Sequence, residues 1–234
     1  MQTAMTLNPT EENLAHWRSL YTLTGYLAFG MIAIIVTQIA AFVATPFPES
    51  IEGWFELLQA RPLAGLVHLD LLYILNNSIV AVMYLAFYAV LKEKKQGLLV
   101  AALVLGFIGI AAYMSSNRAF EMLSLSRLYQ NATSDNLRTV YLAAGQSMLS
   151  AWQGTAFDVY YVLNAITLFA IAAFMLKSQV FTRRTAIVGL IAAILMAIPS
   201  TVGTVGLVFS LLSLIPWVVF CVLTGIRFLQ IGRA

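Results

Sequence analysis

Apolar runs about as long as a bilayer is thick follow one another along the chain, parted by short polar breaks. A helix that crosses a membrane takes about 20 such residues. Six runs meet that length: 20–43, 63–91, 98–116, 157–176, 185–201 and 205–225. The pattern predicts an all-α fold, a polytopic membrane helix bundle of six transmembrane helices in one domain, 1–234. Pro46 and Pro48 stop the first run, since proline has no N–H to continue a helix. Pro199 and Pro216 are expected to kink the fifth and sixth.

The breaks carry their own patterns. In 47–61, Ile51, Trp54, Phe55 and Leu58 recur at helical spacing, with Glu49, Glu52 and Glu56 on the opposite face. That predicts an amphipathic outer helix capped by Ser50. After Ser116 nothing stops the third helix, and the chain continues apolar and polar by turns to Gln153. The spacing of Leu137, Val140, Tyr141, Ala144, Met148 and Trp152 predicts a second helix there, capped by Ser134 or Asp135. Residues 117–152 are therefore expected as a long outer helical hairpin between spans three and four, turning near 131–134, with Gly145 and Gly154 placed to bend it.

Composition agrees with a membrane rather than a soluble core. Of 234 residues, 61% are hydrophobic and 10% charged, against roughly 25% charged in soluble domains. The net charge of +3 is not a nucleic-acid signal, because the basic residues sit in short breaks where they orient membrane helices. Arg18, Lys92, Lys94, Lys95, Lys177, Arg183, Arg184, Arg227 and Arg233 fall on one side of a six-span arrangement. Arg61, Arg118, Arg127 and Arg138 fall on the other, with most of the acids. Both termini are thus expected to be cytoplasmic, N-in and C-in. Residues 1–16 are polar and lack the basic start of a cleaved signal. Cys221 is the one cysteine, inside an apolar run, so no intrachain disulfide forms.

The candidate chemistry is a polar layer. Counting about 20 residues back from the inner basic residues, His68, Asp70, Asn117, Arg118, Glu121, Gln153 and Asp158 fall at one depth, the outer interface. Gln38, Asn76, Asn77 and Asn164 lie deeper, with Tyr73, Tyr113, Tyr160 and Tyr161 between. Helical phase groups Asp70, Tyr73, Asn77 and Tyr84 on one face, and Asp158 with Tyr161 on another. Two readings follow. In the first, spans two, three and four enclose an outward polar cleft, and Arg118 pairs with Asp70 or Asp158. Its ligand-binding residues are His68, Asp70, Asn77, Arg118, Glu121, Asp158 and Tyr161. In the second, the same residues only tie helices together at the headgroup level. Trp217 is read as packing.

No cofactor or metal is expected. Two histidines and one cysteine supply no zinc set, no phosphate loop or dinucleotide fingerprint is present, and no lysine lies within a span. The absence of a nucleophile–base set argues against an enzyme.

The runs LDLLYILNNSIVAVMYLAFYAVLK, NRAFEMLSLSRLYQNAT and YLAAGQSMLSAWQGTAFDVYY resemble a family of bacterial membrane proteins catalogued as domain of unknown function 4386. The resemblance covers about 63–176, more weakly the last two spans. It implies a six-span helical protein of a prokaryotic plasma (inner) membrane, and brings no activity or site. Two functions are carried forward from the residues. One is binding or transport of a small polar or lipid-like ligand through the cleft. The other is an accessory or scaffolding subunit that docks a membrane-protein partner, or a second copy of itself, through the hairpin.

Overall fold

The computed structural model describes residues 16–92 and 96–233. The polar N-terminal stretch before His16, together with Lys94 and Lys95 of the inner basic run, lies outside the described residues. All regular structure among the described residues is helical. Ten helices follow in order: α1 (Arg18–Ala44), α2 (Ile51–Ala60), α3 (Pro62–His68), α4 (Leu71–Leu91), α5 (Gln96–Ser116), α6 (Ala119–Gln130), α7 (Asp135–Trp152), α8 (Thr155–Met175), α9 (Arg183–Met196) and α10 (Gly203–Arg233).

Among the described residues, five helical stretches are long and apolar enough to cross a membrane: α1, α4, α5 running on into α6, α7 running on into α8, and α10. The stretch expected as a fifth span of 17 residues forms α9, which has 14. At 1.5 Å per residue that is about 21 Å, short of the hydrocarbon thickness. Apolar sequence continues past Met196, but Pro199 cannot donate to the helix ladder and the chain turns before it. The expected second span is also divided. It breaks after His68, where Asp70 adopts the left-handed conformation at φ 62°.

The long helices form a closed ring in chain order. α1 packs on α4, α4 on α5, α5 on α8, α8 on α9, α9 on α10, and α10 returns to α1. α4 also reaches α8, which places it nearest the middle. Small residues let these helices approach closely. A Cβ on Gly106 of α5 would stand 2.5 Å from the Tyr84 ring and 2.8 Å from Thr167 Oγ1. At that crossing Thr167 donates to the Ala102 carbonyl at 2.7 Å, tying α8 to α5. Such a bond between apolar helices is worth about 0.6 kcal/mol, so close packing contributes more than the bond does.

A second, smaller core covers one end of the ring. Ile51, Trp54, Phe55 and Leu58 of α2 bury against Leu66, Leu69, Ala119, Met122 and Trp152. Ser50 caps α2 by accepting from the Gly53 N–H at 3.1 Å, and Ser134 caps α7 by accepting from Leu137. α6 and α7 pack on each other and on α2, so this pair lies over α2 and α3. Gly145 does not bend α7. It lets α7 approach α2, since a Cβ there would meet the Phe55 ring at 2.8 Å. The chain bends instead at Gln153 and Gly154, between α7 and α8. Pro216 stays inside a continuous α10.

The close crossings give a direct test. Gly106→Val should destabilise the purified protein by about 1–3 kcal/mol through overpacking, read as a lower melting temperature. Gly30→Ala, where nothing lies within 4 Å, should leave melting unchanged or raise it slightly. Equal effects at both positions would contradict the packing described.

Candidate functional site

The ring encloses a cavity of about 230 Å³. It runs from Asp70 along the inner face of α4 (Tyr73, Asn76, Val80, Met83, Tyr84 and Phe87). From Asp70 to Phe87 that face is about 25 Å long at 1.5 Å per residue. α8 supplies the facing wall through Tyr160, Asn164 and Leu168, and α10 closes it through Leu207, Leu214 and Trp217. Among the described residues, no lysine or arginine lines it. Its deep part is mostly apolar, with Tyr84 and Asn164 hydrogen-bonded to each other there, and its only acidic side chain among the same residues is at the Asp70 end.

Asp70 sits at this end because of how the chain breaks. Only one non-glycine among the described residues has positive φ, and it is Asp70. Aspartate tolerates that conformation better than branched residues do, and such strain persists only where surrounding contacts fix it. Those contacts are visible. Asn117 donates to the Leu69 carbonyl at 2.9 Å, pinning the break to the α5–α6 junction. Gln38 Nε2 of α1 donates to Asp70 Oδ1 at 3.0 Å. Trp152 Nε1 of α7 donates to Oδ2 at 3.0 Å. The Tyr113 hydroxyl approaches from α5 but makes no hydrogen bond of ordinary geometry.

The carboxylate is buried and its hydrogen-bond donors are neutral. Burial pushes its pKa up to about 6; the bonds from Trp152, Tyr113 and Gln38, and the nearby His68, oppose that rise. Two of its roughly four acceptor positions are used, which leaves capacity for a ligand.

The residues expected to form one cleft divide into groups. Asp70 and Tyr161 line the cavity. Asn77 lies behind it, donating to the Tyr73 carbonyl at 2.9 Å and resting against Tyr160. Asn76, one residue earlier on α4, faces the cavity instead, alongside Tyr73 and Tyr84. His68 is fully buried, with Nδ1 at 2.8 Å from the Ala64 carbonyl and Nε2 at 2.8 Å from that of Thr45. It packs against Phe42 and Phe47 and joins α3 to the end of α1. Arg118 pairs with neither aspartate. It lies 3.5 Å from Glu121, one turn along, and both are partly exposed. An exposed pair of that kind contributes little. Asp158 is in the first turn of α8, where a negative charge suits the helix N-terminus. Its carboxylate accepts from the Thr201 hydroxyl, which ties α8 to the α9–α10 turn.

The cleft is also wider than spans two, three and four. Ile35 and Phe42 of α1, and the α10 face with Ser210, Ser213 and Trp217, form part of the wall. Trp217 therefore faces the cavity rather than only packing. Trp152 is the contact that hydropathy hides. Its ring belongs to the cap core, while its N–H reaches the carboxylate. The sequence signal was available, since a buried indole N–H requires an acceptor. Among the described residues, no group of three or more His, Cys, Asp or Glu side chains is placed to hold a metal.

Comparison with known proteins finds no family model, no curated protein and no solved structure that matches this chain.

The burial of Asp70 predicts a pH dependence. A carboxyl whose folded-state pKa is raised stabilises the fold relative to its ionised form below its ordinary value of 3.8, and that contribution is lost as pH rises through about 6. The full difference is on the order of 3 kcal/mol. The titratable groups facing it are His68, Tyr73, Tyr113, Tyr160 and Tyr161. Asp70→Asn keeps all five and retains the left-handed backbone well. Across about pH 4 to 7, wild-type melting should fall relative to Asp70→Asn. A constant difference would mean that the carboxylate is not desolvated.

Proposed function

We propose that this chain is a six-span, multi-pass membrane protein that binds a lipid-like ligand in the cavity between its helices. The observation that carries this reading is the cavity itself, long, mostly apolar and polar at the Asp70 end. Ligand sites of this kind are apolar pockets with a few converging polar groups. A purely structural polar layer would not need the space below it.

Membrane insertion is supported by the outward faces of the long helices. Val43 is 81% exposed, Ile215 67% and Val36 60%, among many such residues. Water would disfavour so continuous an apolar surface, whereas lipid accepts it. α9 completes the ring as the sixth, short span, a mismatch met by local thinning. Lys92, Lys177, Arg183, Arg184, Arg227 and Arg233 gather at helix ends opposite the cap. That end is cytoplasmic by the positive-inside rule, so the termini are inside and the α6–α7 hairpin outside. With the family resemblance, the membrane is that of a prokaryotic cell. For orientation, an impermeant maleimide should label Ser134→Cys on intact cells and Ser178→Cys only after permeabilisation. The opposite pattern would invert the topology.

A second reading has its own observation. Phe120, Leu128, Leu137 and Val140 of the hairpin are exposed apolar residues away from the long helices. They support an accessory subunit that docks a membrane protein there.

Native mass spectrometry of protein extracted in nanodiscs separates the two. The ligand reading expects a reproducible adduct of a few hundred daltons, lost in Leu214→Trp, which fills the cavity from α10. The docking reading expects a stoichiometric protein partner, lost on deleting residues 119–150. A bare monomer with no adduct would reject both.

A further inference from the structure

The polar end of the cavity has a composition more specific than polarity. Five aromatic rings line it together: Tyr73, Tyr113, Phe157, Tyr160 and Tyr161. They form a contiguous set. Tyr113 lies 6.3 Å from Tyr73, 6.0 Å from Phe157 and 4.8 Å from Tyr160, centroid to centroid. Tyr161 closes the set at 5.0 Å from Phe157 and 5.6 Å from Tyr160. The four tyrosines are all within electrostatic reach of the Asp70 carboxylate. Asn76 also lines the cavity, and its buried carbonyl oxygen has no hydrogen-bond partner.

We propose that this end is a cation site, in which Asp70 and the surrounding aromatic rings take the ammonium head of a single-chain alkylammonium amphiphile, with its chain lying along the apolar wall toward Phe87. The proposal rests on the cavity reading above and names its ligand class.

Three physical arguments converge. The negative faces of aromatic rings attract cations, and most strongly where the cation is desolvated. A buried carboxylate with only neutral donors is costly to ionise, and a cation entering the site offsets that cost. The free acceptors, Asn76 Oδ1 and the unused lone pairs of Asp70, suit a head that donates or carries positive charge. An anionic head would meet the carboxylate with no lysine or arginine among the described lining residues to offset it. The apolar stretch from Val80 to Phe87 then accounts for the chain, since each buried methylene contributes about 0.8 kcal/mol.

The test uses the full chain in nanodiscs of neutral lipid. Binding of tritiated dodecyltrimethylammonium is measured by scintillation proximity, with dodecylamine, dodecanol, dodecylphosphocholine and dodecyl sulfate as competitors at matched membrane concentration. The two amine cations should compete about tenfold better than dodecanol, the scale of a desolvated cation contact. Dodecyl sulfate should compete worst. Weak competition by dodecylphosphocholine indicates a free alkylammonium, and competition equal to the cations indicates the choline head of a lipid; either carries the ammonium proposed. Asp70→Asn should lose the tenfold preference. Tyr161→Phe should keep it and Tyr161→Leu should lower it, because the ring and not the hydroxyl holds the cation.

The probe has no titratable group, so pH reports the protein. With Asp70 pushed up to about 6, affinity should weaken about tenfold from pH 7.5 to 5. The groups facing the carboxylate are His68, Tyr73, Tyr113, Tyr160 and Tyr161. If dodecanol competes as well as the cations, or Asp70→Asn keeps the preference, the cation site is wrong while the cavity reading stands. If no probe binds saturably and the extracted protein carries no adduct, both fail.

Discussion

The interaction on which the rest depends is the hold on one buried carboxylate. Asp70 stands where α3 ends and α4 begins, and three separate parts of the chain converge on it. Gln38 comes from α1, Trp152 from the cap, and the left-handed backbone from the break itself. The break ends α3 and starts α4, whose Tyr73, Asn76, Val80, Tyr84 and Phe87 line one cavity wall. The cap is linked to the same point, since the Trp152 indole is shared between the cap core and the carboxylate.

The two cores have different physics. In the cap, α2 is amphipathic in the ordinary way, with acids outward and Trp54, Phe55 and Leu58 inward. The ring helices are apolar all round, so hydropathy does not distinguish their inner faces. What distinguishes them is size and hydrogen bonding. Gly106 accepts the Tyr84 ring, and Tyr84 donates to Asn164 at 2.6 Å across the interior. Asn164 in turn donates to the Tyr160 carbonyl at 2.9 Å. The buried asparagines are thus largely fixed to their own helices or neighbours. Asp70 and Asn76 keep open capacity, and both line the cavity.

This contrast explains what was legible in the sequence. The Ser50 and Ser134 caps, the acid-faced α2 and the extents of α1, α5 and α8 follow from local pattern. The left-handed Asp70 does not, because Leu-Asp-Leu contains no glycine or proline to announce a break. It is chosen by partners distant in sequence, Gln38 and Trp152. Apolar length predicts a polar layer, but not the direction each side chain faces. Asp158 turns to Thr201, and Arg118 turns to Glu121. Asn76 and Asn77 are adjacent on one apolar helix, whose hydropathy does not say which one meets the cavity. The short α9 escaped because apolar composition runs on past the point where Pro199 forbids the helix.

The most direct measurement is the ionisation of Asp70 itself, by infrared difference spectroscopy of the protein in nanodiscs, with Asp70→Asn as the reference. A carboxyl held among neutral donors and aromatic rings should keep a protonated C=O band down from about pH 6, absent in the variant and abolished when an alkylammonium is added. A band that appears only near the ordinary aspartate range, and does not respond to the cation, would contradict the account at its centre.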